Sequence, residues 1–390
     1  MNKKISLGLA ISLIAIACAI TYILTTAFSL NIFNGKISEV TDMAAKYERL
    51  DALDAYVREH YYGEIDEEDL TNGILKGYVS GLNDPYASYM TPEEYQESMS
   101  DDKGVMTGIG ISVIMDESGY MLITEITDNS PAASSELAID DIIIAVDGAD
   151  VLEIGYVEAV SRIRGTAGTE VTLTIRRGGV DRDLTFVREE IELITVAGEM
   201  LNNHIAYIRI ESFKEATVTQ FNNIFNKLID SGAEAILFDL RDNGGGLVSA
   251  TEDCLDPLLP EGEVAYAMYN DGTSQVLVTS DAEECNLPMV VLVNENSASA
   301  AEMFASALRD FGKAQLCGTT TYGKGIMQST IPLEDGGGLT ITVAQYRTAN
   351  SDCYHGVGLT PELVVESVDD ELGTDEQLDA AVLLLQKSIQ

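Results

Sequence analysis

The chain has 390 residues, 64 acidic against 23 basic side chains, a formal net charge of −41, and 46% apolar residues. Binding a phosphate backbone needs clustered Lys and Arg, so nucleic acid is excluded as a partner. The apolar share is that of ordinary globular domains, and the length asks for two or three of them.

Lys3 and Lys4 precede a nearly unbroken apolar run from Ile5 to Leu30, long enough at about 1.5 Å per residue to cross a bilayer. A cleaved signal peptide would have an apolar core of about 7 to 15 residues ending in small residues. Ala17-Cys18-Ala19 offers such a site, yet the run continues through Ile20, Tyr22, Ile23 and Leu24. The reading is an uncleaved signal-anchor over residues 1–34, a single pass through the cell membrane. The positive-inside rule then puts Lys3 and Lys4 in the cytoplasm and everything after Leu30 outside it. Secretion after signal cleavage is the alternative.

Residues 35–103 read as a small helical region. Val40, Met43, Ala44, Tyr47, Leu50, Leu53 and Val57 recur at spacings of three and four, predicting a helix over 38–57. A second helix is expected over 67–81, stopped by Asn83-Asp84-Pro85, and a third opens at Thr91-Pro92-Glu93-Glu94 with Pro at its first position. At Gly104 the texture changes to short β-rich runs at 110–115, 120–126, 142–146 and 171–176, separated by glycine turns and one helix over 156–163. They form a compact domain over 104–190. From 191 to 390 strands (205–210, 235–240, 289–293) alternate with helices (218–230, 300–311), which argues for an α/β domain with a largely parallel, buried sheet.

Cys254, Cys285, Cys317 and Cys353 follow no zinc spacing and form no C-x-x-C pair, so no metal site is expected and disulfide pairing stays open. His60, His204 and His355 have no motif around them, which gives a Ser-His-Asp triad little support.

Three segments carry chemistry. Met289 to Arg309 reads as strand, sharp turn, helix, with the small-residue turn Asn294-Glu295-Asn296-Ser297-Ala298-Ser299-Ala300. A hydroxyl there stands beside free N–H groups at a helix start, which can stabilise an oxyanion. Ser299-Ala300-Ala301-Glu302 also fits a capping box, so Ser299 taken alone reads as an N-cap. In Gly323-Lys324-Gly325-Ile326-Met327-Gln328 a Lys sits four residues before a Gln, and such positions share a face in helix or strand. A lysine base must be neutral, so its pKa has to fall from about 10.4 toward roughly 7 to 8. Gln can orient the amine without a charge that restores the ammonium. Taken alone, Lys324 reads as a solvated loop lysine. The third segment, Asp239-Leu240-Arg241-Asp242-Asn243-Gly244-Gly245-Gly246, permits close backbone approach to a ligand but matches neither phosphate-binding glycine motif.

Together, DLRDNGGGL at 239–247, VNENSASAAE at 293–302 and GTTTYGKGIMQ at 318–328 resemble the carboxyl-terminal processing (tail-specific) proteases. The resemblance implies an α/β multidomain protein whose proteolytic part has a crotonase/Clp-like fold. It implies Ser299 as nucleophile, Lys324 as general base, Gln328 as its orienting partner, and N–H groups near Gly245 and Ala300 as the oxyanion hole. The middle domain resembles the PDZ domain inserted in that family. Gly108-Ile109-Gly110-Ile111 matches its carboxylate-binding loop, which implies peptide binding along the strand that follows. The resemblance implies protein or peptide substrates with apolar C-terminal tails and no metal or organic cofactor, and leaves homo-oligomerisation and gating by the PDZ domain open. Glu136 and Asp140 stand where glycines are usual, and Gly244 where proline is common. A catalytically silent PDZ adaptor and, more distantly, an acyl-CoA enzyme are the rival readings.

Overall fold

The computed structural model describes residues 47–366 apart from 282, residues 375–389, and scattered positions before 47. Most of the apolar run read as an anchor lies outside them. Among the described residues no helix is long and apolar enough to cross a membrane.

Helix α1 occupies residues 47–60, so the expected stripe runs three residues further than its pattern. Arg58 on it binds Asp54 and Glu67. Helix α2 (Glu67–Ser80) leads into the strand β1 (Ser88–Met90) and helix α3 (Pro92–Lys103). The start of α3 is a reciprocal cap: Glu94 N–H donates to the Thr91 hydroxyl at 3.3 Å, and Thr91 N–H to the Glu94 carboxylate at 2.9 Å. Gly104 ends it at φ 75°, in the left-handed region that glycine enters without a Cβ penalty.

A contiguous β-rich domain follows. Its elements are β2 (Val105–Gly108), β3 (Ile111–Met115), β4 (Met121–Ile126), β5 (Ile142–Val146), β6 (Ala149–Asp150), α4 (Val151–Ile154), α5 (Tyr156–Ile163), β7 (Glu170–Arg177), β8 (Val180–Val187) and β9 (Glu189–Glu192). β2 and β9 pair antiparallel, Val105 opposite Glu192, and Leu193 N–H reaches the Gly104 carbonyl at 2.8 Å. The chain therefore enters and leaves through one two-stranded neck. The main sheet runs β3-β4-β5-β7-β8, with β3 at its edge. Alternate residues Val171, Leu173 and Ile175 of β7 point into a core with Met121, Ile123, Ile143 and Phe186. Asp140 takes φ 71° where the resemblance expects glycine, a conformation Asp tolerates better than most residues.

The last domain holds β10 (Val196–Leu201), β11 (Ile205–Ile210), α6 (Glu215–Asp230), β12 (Ala235–Asp239), α7 (Val248–Leu255), β13 (Gly262–Tyr269), β14 (Ser274–Ser280), β15 (Met289–Val293), α8 (Ala300–Asp310), β16 (Ala314–Gly318), β17 (Ile326–Pro332), β18 (Gly338–Thr348), β19 (Leu363–Val364) and α9 (Glu376–Ile389). One sheet has the order β10-β11-β12-β15-β16-β19, parallel from β11 onward. Both faces are covered, which is why its strands read as unbroken apolar runs. Ile236, Phe238, Val291 and Val293 face the core shared with α6, α7 and α8. Ala235, Leu237, Val290 and Leu292 face Ala381 and Leu385 of α9. The second sheet is antiparallel: β17 runs along one edge of β18, and β13 and β1 lie in succession along the other.

Candidate active site

Ser299 sits where the buried strand β15 turns into α8, whose first nine residues are all buried. Its φ of 57° and ψ of −117° are costly for a residue with a Cβ, and such strain persists only where the surroundings hold it. Three anchors do so. Asn294 N–H donates to the Ser297 hydroxyl at 2.9 Å, which itself donates to the Leu240 carbonyl at 2.7 Å. Ala298 N–H donates to the Asn243 carbonyl at 2.9 Å. Ser299 N–H donates to Glu302 Oε2 at 2.9 Å.

The glycine segment is docked on this elbow. Asn243, fully buried, donates to the Ile210 carbonyl at 2.8 Å and accepts from Gly245 N–H at 2.8 Å. A Cβ on Gly245 would stand 2.8 Å from the Ala298 carbonyl oxygen and 2.8 Å from Ser299 Cβ, so only glycine lets the two loops touch. Gly246 is tighter still, its missing Cβ lying 2.1 Å from the Phe213 carbonyl oxygen. Gly245 thus lies against Ser299, and Ala300 is the first, buried residue of α8.

Lys324 belongs to the loop between β16 and β17. Glycines flank it because residues 355–358 cross that loop: a Cβ on Gly323 would meet Gly358 N at 2.8 Å, and one on Gly325 would meet His355 N at 2.8 Å. The loop is tied to the serine elbow through Glu302. This fully buried carboxylate accepts from Thr321 Oγ1 at 2.5 Å, Gly323 N–H at 2.8 Å and Lys324 N–H at 2.8 Å, besides Ser299 N–H. The Tyr346 hydroxyl, with its ring buried, donates to the Lys324 carbonyl at 2.8 Å and lies beside the Ser299 side chain. Burial pushes the Tyr346 phenol well above its ordinary value.

The side chains of the lysine segment are placed less simply. Burial lowers the Lys324 amine below the usual lysine range, opposed by the negative charge of Asp84. Its Nζ stands 4.3 Å from the centroid of the Tyr86 ring. Gln328 lies in β17 opposite Thr342 and donates to the Thr342 hydroxyl at 3.2 Å. A register irregularity between Met327 and Gln328 interrupts the simple alternation that would put positions four apart on one face. Among the described residues no hydrogen bond joins the Lys324 amine to Ser299 or Gln328.

Sequence reasoning singled out Ser299, Lys324 and Gln328, but took Glu302 only as a cap and passed over Asn243, Thr321, Tyr346, Asp84 and Tyr86. The S-x-x-E spacing could have suggested a buried carboxylate. Nothing local signals the others.

In the β-rich domain, Gly108 to Ile111 lead into the edge strand β3. With Ser112, Val113, Tyr156, Val160, Ile163 and Arg164 they line a groove of about 270 Å³ between β3 and α5. Gly110 has φ 77° and would drive a Cβ to 2.3 Å from Ser130 Cβ. The Tyr156 hydroxyl closes the far end by donating to the Val113 carbonyl at 2.8 Å.

A serine on a strained strand-to-helix elbow, a partly desolvated lysine in the adjoining loop, and a separate domain with an edge-strand groove define a PDZ-bearing serine peptidase. The model of peptidase family S41 matches residues 204–365, a PDZ domain model residues 107–186, and the model of the activating protease CtpB N-terminal domain residues 15–94. Carboxy-terminal processing protease CtpA of Bacillus subtilis (strain 168) is 32% identical over 372 residues, 95% of this chain and 79% of that protein. The carboxy-terminal-processing protease of Bartonella bacilliformis is 34% identical over 320 residues, 80% of this chain and 73% of its own. A crystal structure of a putative S41 protease from Bacteroides fragilis shares the fold, with a TM-score of 0.51 at 17% identity over 84% of this chain and 92% of that one. The chain belongs to the carboxy-terminal processing protease family, and is a serine-type peptidase with peptide or protein substrates.

Proposed function

We propose that this peptidase cleaves peptide bonds by a Ser/Lys mechanism and selects substrates by an apolar C-terminal tail held in the PDZ groove. Ser299 attacks the scissile carbonyl, and neutral Lys324 takes its proton and returns it to the leaving amine. The acyl-enzyme is then hydrolysed. Gln328 orients the amine, and N–H groups at Gly245 and Ala300 receive the oxyanion. One observation carries this reading: the Glu302 carboxylate joins the strained Ser299 elbow and the backbone of the Lys324 loop into one buried unit. Because Gly245 N–H donates to Asn243 here, its use as an oxyanion donor requires that bond to be shared or exchanged during turnover.

In the PDZ domain the tail extends the β3 edge while backbone N–H groups of 108–111 take the carboxylate, with its side chains against Ile163 and Val160. The test uses the chain from residue 35 with an unfolded reporter ending in a free apolar tail, and compares wild type, Ser299→Ala, Lys324→Ala and Gln328→Ala. Cleavage by wild type, lost in the Ser and Lys variants and reduced by amidating the reporter's C-terminus, is the expected result. Cleavage by Ser299→Ala at the wild-type rate would refute the mechanism. Binding without cleavage by wild type would favour the adaptor.

The localisation proposal is that residues 5–30 anchor the chain with its catalytic part outside the cytoplasm, supported by the apolar length and by Lys3 and Lys4. Extraction of the full chain from membranes by alkaline carbonate would overturn it.

A further inference from the structure

The pairing of β1 with β18, Ser88 opposite Thr340, brings a segment from before the PDZ domain to the catalytic loop. The Tyr86 ring lies against the Lys324 amine, 4.3 Å from centroid to Nζ. The Tyr86 phenol lies beside that of Tyr322, two residues before the lysine. The Asp84 carboxylate accepts from Tyr86 N–H at 2.9 Å and lies beside the Thr342 hydroxyl. That same Thr342 hydroxyl accepts from the Gln328 amide at 3.2 Å. Asp84 and Tyr86 therefore stand at the head of Lys324 and next to the hydroxyl that takes the Gln328 amide.

We propose that Asp84 and Tyr86 are positioning residues for the general base: ring face and carboxylate hold Lys324 as an ammonium in a resting pose, which the amine leaves, its proton given to solvent, before it serves Ser299. The inference rests on the assignment of Lys324 as base. Both groups favour the charged amine, the ring through its negative face and the carboxylate through its charge. Burial acts the other way. The remaining titratable groups around the loop are Glu302 of α8, which takes the Lys324 backbone N–H, Tyr346 of β18, which donates to its carbonyl, Tyr322 on the loop itself, and Cys353 and His355 from the crossing segment. Asp84 is the carboxylate whose charge acts on the amine.

Removing either support lets the lysine lose its proton at lower pH. Loss of a cation–π contact at this half-buried amine corresponds to a shift of roughly 0.7 pH unit. The experiment measures the rate at which a fluorophosphonate probe labels Ser299 as a function of pH, in the protein with its PDZ domain intact. The probe needs no peptide tail, and the midpoint of the rising limb is read on the active fraction alone. Tyr86→Leu and Asp84→Asn should each move that midpoint down by about 0.5 to 1 unit, while Tyr86→Phe, which keeps the ring face, should hold the wild-type midpoint. Midpoints of Tyr86→Leu and Asp84→Asn that coincide with wild type or move up overturn the proposal, whatever happens to the plateau rate. If Tyr86→Leu labels at no pH, an unmoved midpoint in Asp84→Asn overturns it alone. Labelling of Lys324→Ala at the wild-type rate would instead overturn the assignment of the base, so the two failures are distinct.

Discussion

Replacing Glu302 by Gln changes one oxygen to an amide nitrogen and removes one charge, with almost no change of shape. Its Oε1 takes Thr321 Oγ1 and Gly323 N–H, and its Oε2 takes Ser299 N–H and Lys324 N–H. The new amide must point its NH2 at one of these pairs. On the Oε1 side the Thr321 hydroxyl can turn to accept, which orphans Gly323 N–H. On the Oε2 side both orphaned donors belong to the proposed nucleophile and base. An orphaned buried donor costs about 1 to 3 kcal/mol, and hydrogen bonds to a charged acceptor exceed neutral ones by roughly 1 kcal/mol. The cheaper arrangement therefore destabilises by about 2 to 4 kcal/mol. Glu302→Ala, which orphans all four donors, approaches the whole stability of a typical domain, about 5 to 15 kcal/mol. Urea unfolding followed by tyrosine fluorescence should show the Gln variant folded with a lower midpoint. Reporter cleavage should fall about 100-fold or more, since displacements near 1 Å carry that penalty. A Gln variant within about 0.5 kcal/mol of wild type and fully active would show that the carboxylate does not join elbow to loop, and the reasoning would fail.

Gly246→Ala should prevent the glycine segment from docking, because its Cβ would fall 2.1 Å from the Phe213 carbonyl oxygen at a φ of 142°. Loss of soluble, active protein on expression is the check. Asp141 is buried, and although burial raises its carboxyl, hydrogen bonds from Arg177 and Ala138 N–H bring it below the usual value. Its contribution is thus complete above an unfolded pKa near 3.9 and is lost as pH falls through the lower folded value. Asp141→Asn removes the ion pair while Arg177, exposed to solvent, keeps its hydrogen bond to the Glu136 carbonyl, and should destabilise the PDZ domain by about 1 to 2 kcal/mol at pH 7, measured by thermal unfolding at pH 7 and at pH 3, where the difference should shrink. Cys254 and Cys317 are buried free thiols, and burial pushes the Cys317 thiol up to about 11. At pH 7.5 a maleimide should modify the half-buried Cys285 and Cys353 and reach the other two only on unfolding, checked by mass spectrometry.

The parallel sheet was legible because strands buried on both faces cannot alternate, and residues 235–238 and Met289–Val293 show this as continuous apolar runs. The serine elbow was legible because a tight strand-to-helix turn admits only small residues, as did 297–301. The antiparallel sheet was not. Its strands β13 and β14 are partly exposed and bulged, and β1 is three residues long, so no periodicity marks them. The contact of Tyr86 with Lys324 was invisible for the same reason: it depends on the register of Ser88–Met90 against Gly338–Thr340, which no local pattern encodes. At Gln328 the four-residue spacing from Lys324 says less than it promises, since the strand has a register irregularity after Met327 and the amide meets the Thr342 hydroxyl.

The pairing of β1 with β18 also sets an order of assembly during synthesis. The PDZ domain is contiguous from β2 to β9, its pairings are all internal, and it can close as soon as it is made. The antiparallel sheet of the protease domain cannot, because Ser88, Tyr89 and Met90 must wait for Gly338 to Thr340 to emerge. Closing a loop of that length is slow, and domains fold largely in the order they appear. Ser299 and Lys324 are thus both made before the strand that brings Asp84 and Tyr86 to the lysine, so a nascent or truncated chain carries the proposed nucleophile and base without the segment proposed to hold the base.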